Sequence, residues 1–115
     1  MTEQRRTPRI QPFVAPCRVV TGSRALAGYL TDLSEGGARV TCEADPPAEG
    51  EAVTLELRIG RVAARSRVPA HIEWVKPAAK GCVFGLSFAG LGPEPMKALR
   101  GVVAEFRRMA DEIAS

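Results

Sequence analysis

The chain holds a single histidine, His71, a single tryptophan, Trp74, and a single tyrosine, Tyr29, among 115 residues. His71 stands on the polar side of a strand-like segment with no carboxylate at a metal-ligand spacing, which leaves neither a metal pair nor an oriented general base. Ser34 lacks a nucleophile-elbow sequence, and no Walker or dinucleotide-type glycine loop occurs. The three cysteines, Cys17, Cys42 and Cys82, lack a pattern of basic neighbours that would lower a thiol pKa. An enzyme is therefore not expected, nor a metal or cofactor. The odd cysteine count without CxxC spacing also excludes a disulfide framework and a zinc site, so all three are expected as reduced, small core residues. No run of about 18 apolar residues exists to cross a membrane. Met1 to Arg9 is polar and basic with no apolar stretch behind it, unlike a secretory signal, so the expected location is the cytoplasm. The net charge of +3 is too small to imply nucleic-acid binding without a concentrated patch.

What the chain does contain is alternation. Residues 1–11 carry no apolar period and read as a flexible N-terminal segment bearing Arg5, Arg6 and Arg9. From Phe13, the residues Phe13, Ala15, Cys17 and Val19 alternate with Val14, Pro16, Arg18 and Val20, a half-buried strand. Pro16 inside it argues for an edge position or an irregular start. A second strand from about Ala25 to Thr31 leads into a turn at Asp32–Gly37, and Ala38 to Cys42 leaves it. Val53, Leu55, Leu57 and Ile59 form the clearest strand, with Gly60-Arg61 placed as a type II′ hairpin turn. The return strand sets Val68, Ala70, Ile72 and Trp74 on one side, with Pro69 expected to break or bend it. After a turn at Lys76–Gly81, Cys82, Phe84, Leu86 and Phe88 mark a last strand.

The period then changes to three and four: Met96, Leu99, Val102, Val103, Phe106, Met109 and Ile113 trace one stripe of a helix, with Pro93 near its start. That stripe needs cover from the barrel or from a second chain, so a homodimer through this helix is one arrangement open to it. The expected fold is mainly β, a small six-stranded antiparallel barrel over residues 12–90 with a C-terminal α-helix at 93–114 of the same domain.

Two basic groups invite ligands. Arg58, Arg61, Arg65 and Arg67 fall on or near one hairpin and could form a nucleic-acid face, but no aromatic stacking platform accompanies them on that polar face. A solvated strand face that discourages edge pairing explains them better. Arg5 and Arg9 stand four apart with Pro8 stiffening the link, and each offers a fork matching a phosphate or the O6/N7 edge of guanine. Thr31 to Gly37 holds a carboxylate, a hydroxyl and two glycines in one short connection, where Asp and Ser can bond nearby N–H groups and Gly supplies φ > 0.

Arg5-Arg6-Thr7-Pro8-Arg9 is an RxxxR element and Asp32-Leu33-Ser34-Glu35-Gly36-Gly37 a DxSxxG element. In this order, with strands on both sides of the second and Gly85-Leu86-Ser87-Phe88 closing after a Trp-bearing strand, the chain closely resembles the PilZ domain family over nearly its whole length. The resemblance implies a barrel that binds the bacterial second messenger cyclic di-GMP. Arg5 and Arg9, with Arg6 nearby, would meet phosphates and guanine edges. Asp32 and Ser34 would bond a guanine, and Gly37, with Gly36 beside it, would let the base approach. Many family members carry a further Arg immediately before the first motif arginine, where this chain has Gln4, a position thought to influence whether one ligand or an intercalated pair binds. The implied mechanism is a stand-alone receptor and adaptor: ligand binding orders the N-terminal segment across the barrel and alters a surface read by an effector protein. The alternative is a PilZ-like protein–protein interaction module that binds no nucleotide.

Overall fold

A computed structural model describes residues 14–57 and 66–114. Within them, β1 (Ala15–Val20), β2 (Ala25–Leu33), β3 (Gly37–Cys42), β4 (Ala52–Leu57), β5 (Ser66–Ala78) and β6 (Gly81–Ser87) precede one helix, α1 (Pro93–Ala114). The strands are antiparallel and close into a six-stranded barrel in the order β1-β2-β3-β6-β5-β4, with β4 paired back to β1. Closure gives every strand a partner on both sides over at least part of its length, which is how a small all-β domain avoids templating its own aggregation. The expected hairpin turn at Gly60-Arg61 and the N-terminal segment 1–11 lie outside the described residues.

Alternation does the folding. Ala15, Cys17 and Val19 of β1, Val53, Leu55 and Leu57 of β4, and Cys82, Phe84 and Leu86 of β6 all point inward and are buried. Leu99, Val103 and Phe106 of α1 join the same core, with Met96, Val102 and Met109 packed against it. The helix lies on β5. Its stripe is thus covered by the chain's own barrel, the first of the two covers expected; the side chain of Ile113 lies outside the described part. Gly101 is exposed, so its missing side chain costs the helix no packing.

The two prolines turn out differently. The strand of Pro16 is not an edge strand, because β1 pairs with β2 on one side and β4 on the other. The described ladder with β4 begins only at Cys17, so Pro16 stands beyond it, at the irregular start that was the other expectation. β5 runs unbroken through Pro69, which faces Thr54 of β4. The ladder of β5 with β6 starts only at His71, so the missing N–H at Pro69 deprives no partner on that side. What bends β5 is an extra residue at Glu73, where the register jumps between Ile72 and Trp74. That bulge moves Trp74 off the inward face and brings Val75 opposite Phe84 instead. The turn expected at Lys76–Gly81 shrinks to Ala79-Lys80, since β5 extends to Ala78 and β6 begins at Gly81.

All three thiols are free and buried. One row of the barrel carries Cys17, Gly28, Cys42 and Cys82 on four neighbouring strands. Burial, reinforced by the neighbouring Cys42 thiol, pushes the Cys17 thiol from 9.0 up to about 12. Unfolding would return that pKa to its ordinary value, so between about pH 9 and 12 the unfolded chain binds fewer protons than the native one, and stability must fall as pH rises. Melting curves from pH 8 to 11 are expected to show this alkaline decline, and Cys17→Val should flatten it. An unchanged slope in the variant would assign the decline to other groups.

Candidate ligand-binding site

The polar connection seen in the sequence is shorter than it looked. Asp32 and Leu33 belong to β2 and Gly37 to β3, leaving Ser34, Glu35 and Gly36 as the turn. Ser34 builds it. Its N–H donates to the Gly37 carbonyl at 2.8 Å, and its hydroxyl accepts from the N–H groups of Gly36 and Gly37 at 3.3 Å each. The same hydroxyl lies 3.3 Å from the Gly37 carbonyl as a donor. The turn is also held from behind, by Phe88 N–H donating to the Gly36 carbonyl at 3.2 Å. From the helix, Arg100 Nε reaches Glu35 Oε1 at 3.5 Å, an exposed pair worth at most about 1 kcal/mol.

Neither glycine of the motif has positive φ; that conformation occurs at Gly50, Gly81 and Gly90 among the described residues. Gly37 is small for another reason. A Cβ built there would stand 2.4 Å from the Leu86 carbonyl oxygen of β6, so the neighbouring main chain occupies the space. At Gly36 the nearest atom to such a Cβ is the Ser34 hydroxyl at 3.9 Å, so a side chain would fit.

Asp32 is a different kind of residue from Ser34. The β2–β3 register passes from Leu30↔Val40 to Asp32↔Arg39, leaving Thr31 as an extra residue whose hydroxyl bonds the Arg39 carbonyl at 3.3 Å. Leu30 and Leu33 both point inward, so Thr31 and Asp32 both face out. Asp32 is exposed, and among the described residues its carboxylate has no hydrogen-bonding or ionic partner. Of the two residues able to bond the turn's N–H groups, Ser34 does so and Asp32 does not.

From Asp32 a row crosses the outer face: Arg39 on β3, Gly85 on β6, Trp74 on β5. A Cβ at Gly85 would lie 2.2 Å from Trp74 Nε1, so the indole rests directly on that glycine. Lys76 Nζ lies 5.3 Å from the ring centroid, a cation–π distance. Adjacent strands are about 4.8 Å apart, so carboxylate, guanidinium and indole are spread over about 14 Å. Such a face can accept N–H donors at one end, donate to anions or carbonyls in the middle, and stack a ring at the other. Sequence reasoning missed Arg39 and Trp74 as members of it, because Trp74 reads as inward-facing until the bulge at Glu73 is known.

Of the residues singled out from the sequence, Asp32, Ser34, Gly36 and Gly37 are brought together here; Arg5, Arg6 and Arg9 lie outside the described residues. So do Arg58, Arg61 and Arg65 of the basic hairpin. Arg67 is described and is engaged: Glu56, outward on β4 yet buried, pairs with Arg18 Nη2 at 2.8 Å and Arg67 Nε at 3.4 Å. The register lines these three up as Arg18↔Glu56↔Arg67. A carboxylate between two guanidiniums weakens the case for this face as a nucleic-acid patch.

The barrel order, the terminal helix and the Ser34 turn agree with a family comparison, in which the PilZ domain model matches residues 3–105. The chain belongs to the PilZ domain family. Solved structures agree in fold. The PilZ domain of CeSA from a cellulose-synthesising bacterium superposes with a TM-score of 0.66 at 20% identity, covering 84% of this chain and 96% of that one. The PilZ domain of YcgR from Escherichia coli, solved with c-di-GMP, gives a TM-score of 0.66 at 20% identity, covering 91% and 96%. The Bacillus subtilis inhibitor of motility, MotI/DgrA, gives 0.61 at 15% identity over 95% of this PilZ chain but 55% of its own length. No curated protein sequence matches. Among the described residues no helix is long and apolar enough to cross a membrane.

Proposed function

We propose that this PilZ domain is a cyclic di-GMP receptor that works as an adaptor. The observation that carries the reading is the exposed Asp32 carboxylate, unpartnered among the described residues, on the same outer face as Arg39 and Trp74, beside the Ser34 turn, in a barrel of this family. A carboxylate accepts from guanine N1–H and N2–H₂ together, the one base edge presenting two adjacent donors to it. Arg39 would donate to a phosphate or to O6/N7, and the indole would offer the second base a flat apolar surface. Arg5 and Arg9, with Arg6, supply the remaining guanidiniums in this proposal. Ser34 and Gly37 hold the turn that fixes Asp32, with Gly36 leaving its outer side open. Ordering of the N-terminal segment by the ligand would then change a surface that an effector protein reads. The free thiols suit a reducing compartment and hence the cytoplasm.

Calorimetric titration with cyclic di-GMP tests this. Saturable heat is expected, with Asp32→Ala weakening binding by roughly 10–150-fold, the worth of hydrogen bonds to a charged group. Because Asp32 is exposed, the variant should melt close to wild type. Folded protein giving no heat at tens of micromolar ligand would overturn the reading. The second reading, an interaction module that binds no nucleotide, draws on one observation: Ser34 and Gly37 are each accounted for by the turn and by β6 without any ligand. It leaves Asp32 unexplained, and the same titration separates the two.

A further inference from the structure

Two large hydrophobic residues are exposed among those described, Tyr29 at 55% and Val14 at 42%. A lone exposed hydrophobic needs no explanation, but these two are neighbours. Pro16 of β1 lies opposite Tyr29 of β2, and Val14 is two residues from Pro16 and so on its side of the extended chain. On the other side Tyr29 faces Thr41 of β3. The result is an apolar strip on the outer wall of β1 and β2, centred on an aromatic ring.

The position of the strip gives it a purpose. Tyr29 and Asp32 are three residues apart, and in a regular strand they would face opposite sides of the wall. The extra residue at Thr31 brings them to the same side, with only the inward-facing Leu30↔Val40 pair between Tyr29↔Thr41 and Asp32↔Arg39. The strip is therefore continuous with the candidate site, at its β2 end, with two strands separating it from Trp74.

We propose that Tyr29 is a ligand-contacting residue, its ring stacking against the purine base whose N–H edge Asp32 accepts, with Pro16 and Val14 extending the apolar floor. This rests on the nucleotide-receptor reading and adds an anchor to it. Geometry requires such a surface: a carboxylate fixes a base only within the base plane, and exposed to water it gains little unless one face of the base is also covered. An aromatic ring set against that face would cover it and tolerate either purine. The carboxylate supplies the preference for guanine.

The test is calorimetric affinity for cyclic di-GMP of wild type, Tyr29→Ala, Tyr29→Phe and, as a control on the receptor reading, Asp32→Ala. Tyr29→Ala should weaken binding roughly 5–150-fold and Tyr29→Phe by no more than about twofold, because the face of the ring and not its hydroxyl is used. Melting temperatures of both variants should match wild type, and the Tyr29 ring protons should move upfield when ligand is added. If wild type binds and Asp32→Ala weakens binding while Tyr29→Ala binds as wild type does, the inference fails and the receptor reading stands. If Tyr29→Ala keeps its affinity but sediments as a smaller species, the strip is a contact between copies, and the inference fails again. If wild type binds nothing, the receptor reading fails and takes the inference with it.

Discussion

Phe84→Ala is expected to lower the melting temperature by on the order of 10–20 °C. Phe84 is fully buried on β6, opposite Val40 of β3 and Val75 of β5. It is thus the inward contact that ties the two strands carrying Arg39 and Trp74. Truncating a buried phenylalanine removes its transfer free energy and leaves a cavity that a closed barrel cannot collapse to fill, about 3–5 kcal/mol in all. A domain of this size loses about 4 °C per kcal/mol. Phe84→Leu keeps most of the volume and should lose less than half as much. A thermal or denaturant melt decides it. Phe84→Ala melting within about 3 °C of wild type would mean that the barrel interior relaxes around the missing ring.

The same inward residues explain why so much of the fold was legible. Val53, Leu55 and Leu57, or Cys82, Phe84 and Leu86, alternate because each strand buries one side only, and Leu99, Val103 and Phe106 recur because a helix buries one stripe. Closure was legible only as a class, since which strands meet is set by pairings far apart in the chain. The two bulges escaped, and the site suffered for it. Each replaces an inward spacing of two by three, Leu30 to Leu33 and Ile72 to Val75, and that is the one trace they leave in the chain. Read as regular strands, these segments put Trp74 inside and mistake the end of β2 for part of a turn. Pro69 misled for a related reason, and Pro16 shows the same rule at the start of a strand. A strand residue sends its N–H to one neighbour alone, so a proline fits inside a closed barrel wherever the ladder on that side has not begun. Asp32 and Ser34 were legible as a pair, but not their division of labour: Ser34 bonds the turn, and Asp32 is left to the outside.

Gly37→Ala is the substitution that separates the structural part of the motif from the part that meets a ligand. Its Cβ would stand 2.4 Å from the Leu86 carbonyl oxygen. That atom is main chain, in the strand paired to β3 through Gly37↔Ser87 and Ala38↔Leu86, so it cannot rotate away as a side-chain tip would. Strands β3 and β6 must part, which strains the packing and weakens ladder bonds worth about 1 kcal/mol each. The expected loss is about 3 kcal/mol, roughly 12 °C in melting temperature, with no ligand present. Gly36→Ala, with open space at its Cβ, should stay within about 0.5 kcal/mol. If instead Gly37→Ala melts like wild type and loses only affinity for cyclic di-GMP, the glycine serves the approach of a base. The geometry favours the first outcome, and it carries a consequence for reading the motif. A glycine required by the neighbouring strand is retained whether or not a nucleotide binds, and so is a serine that closes its own turn. The exposed carboxylate of Asp32 has no such internal duty among the described residues, and it is the residue of the three whose presence argues for a ligand.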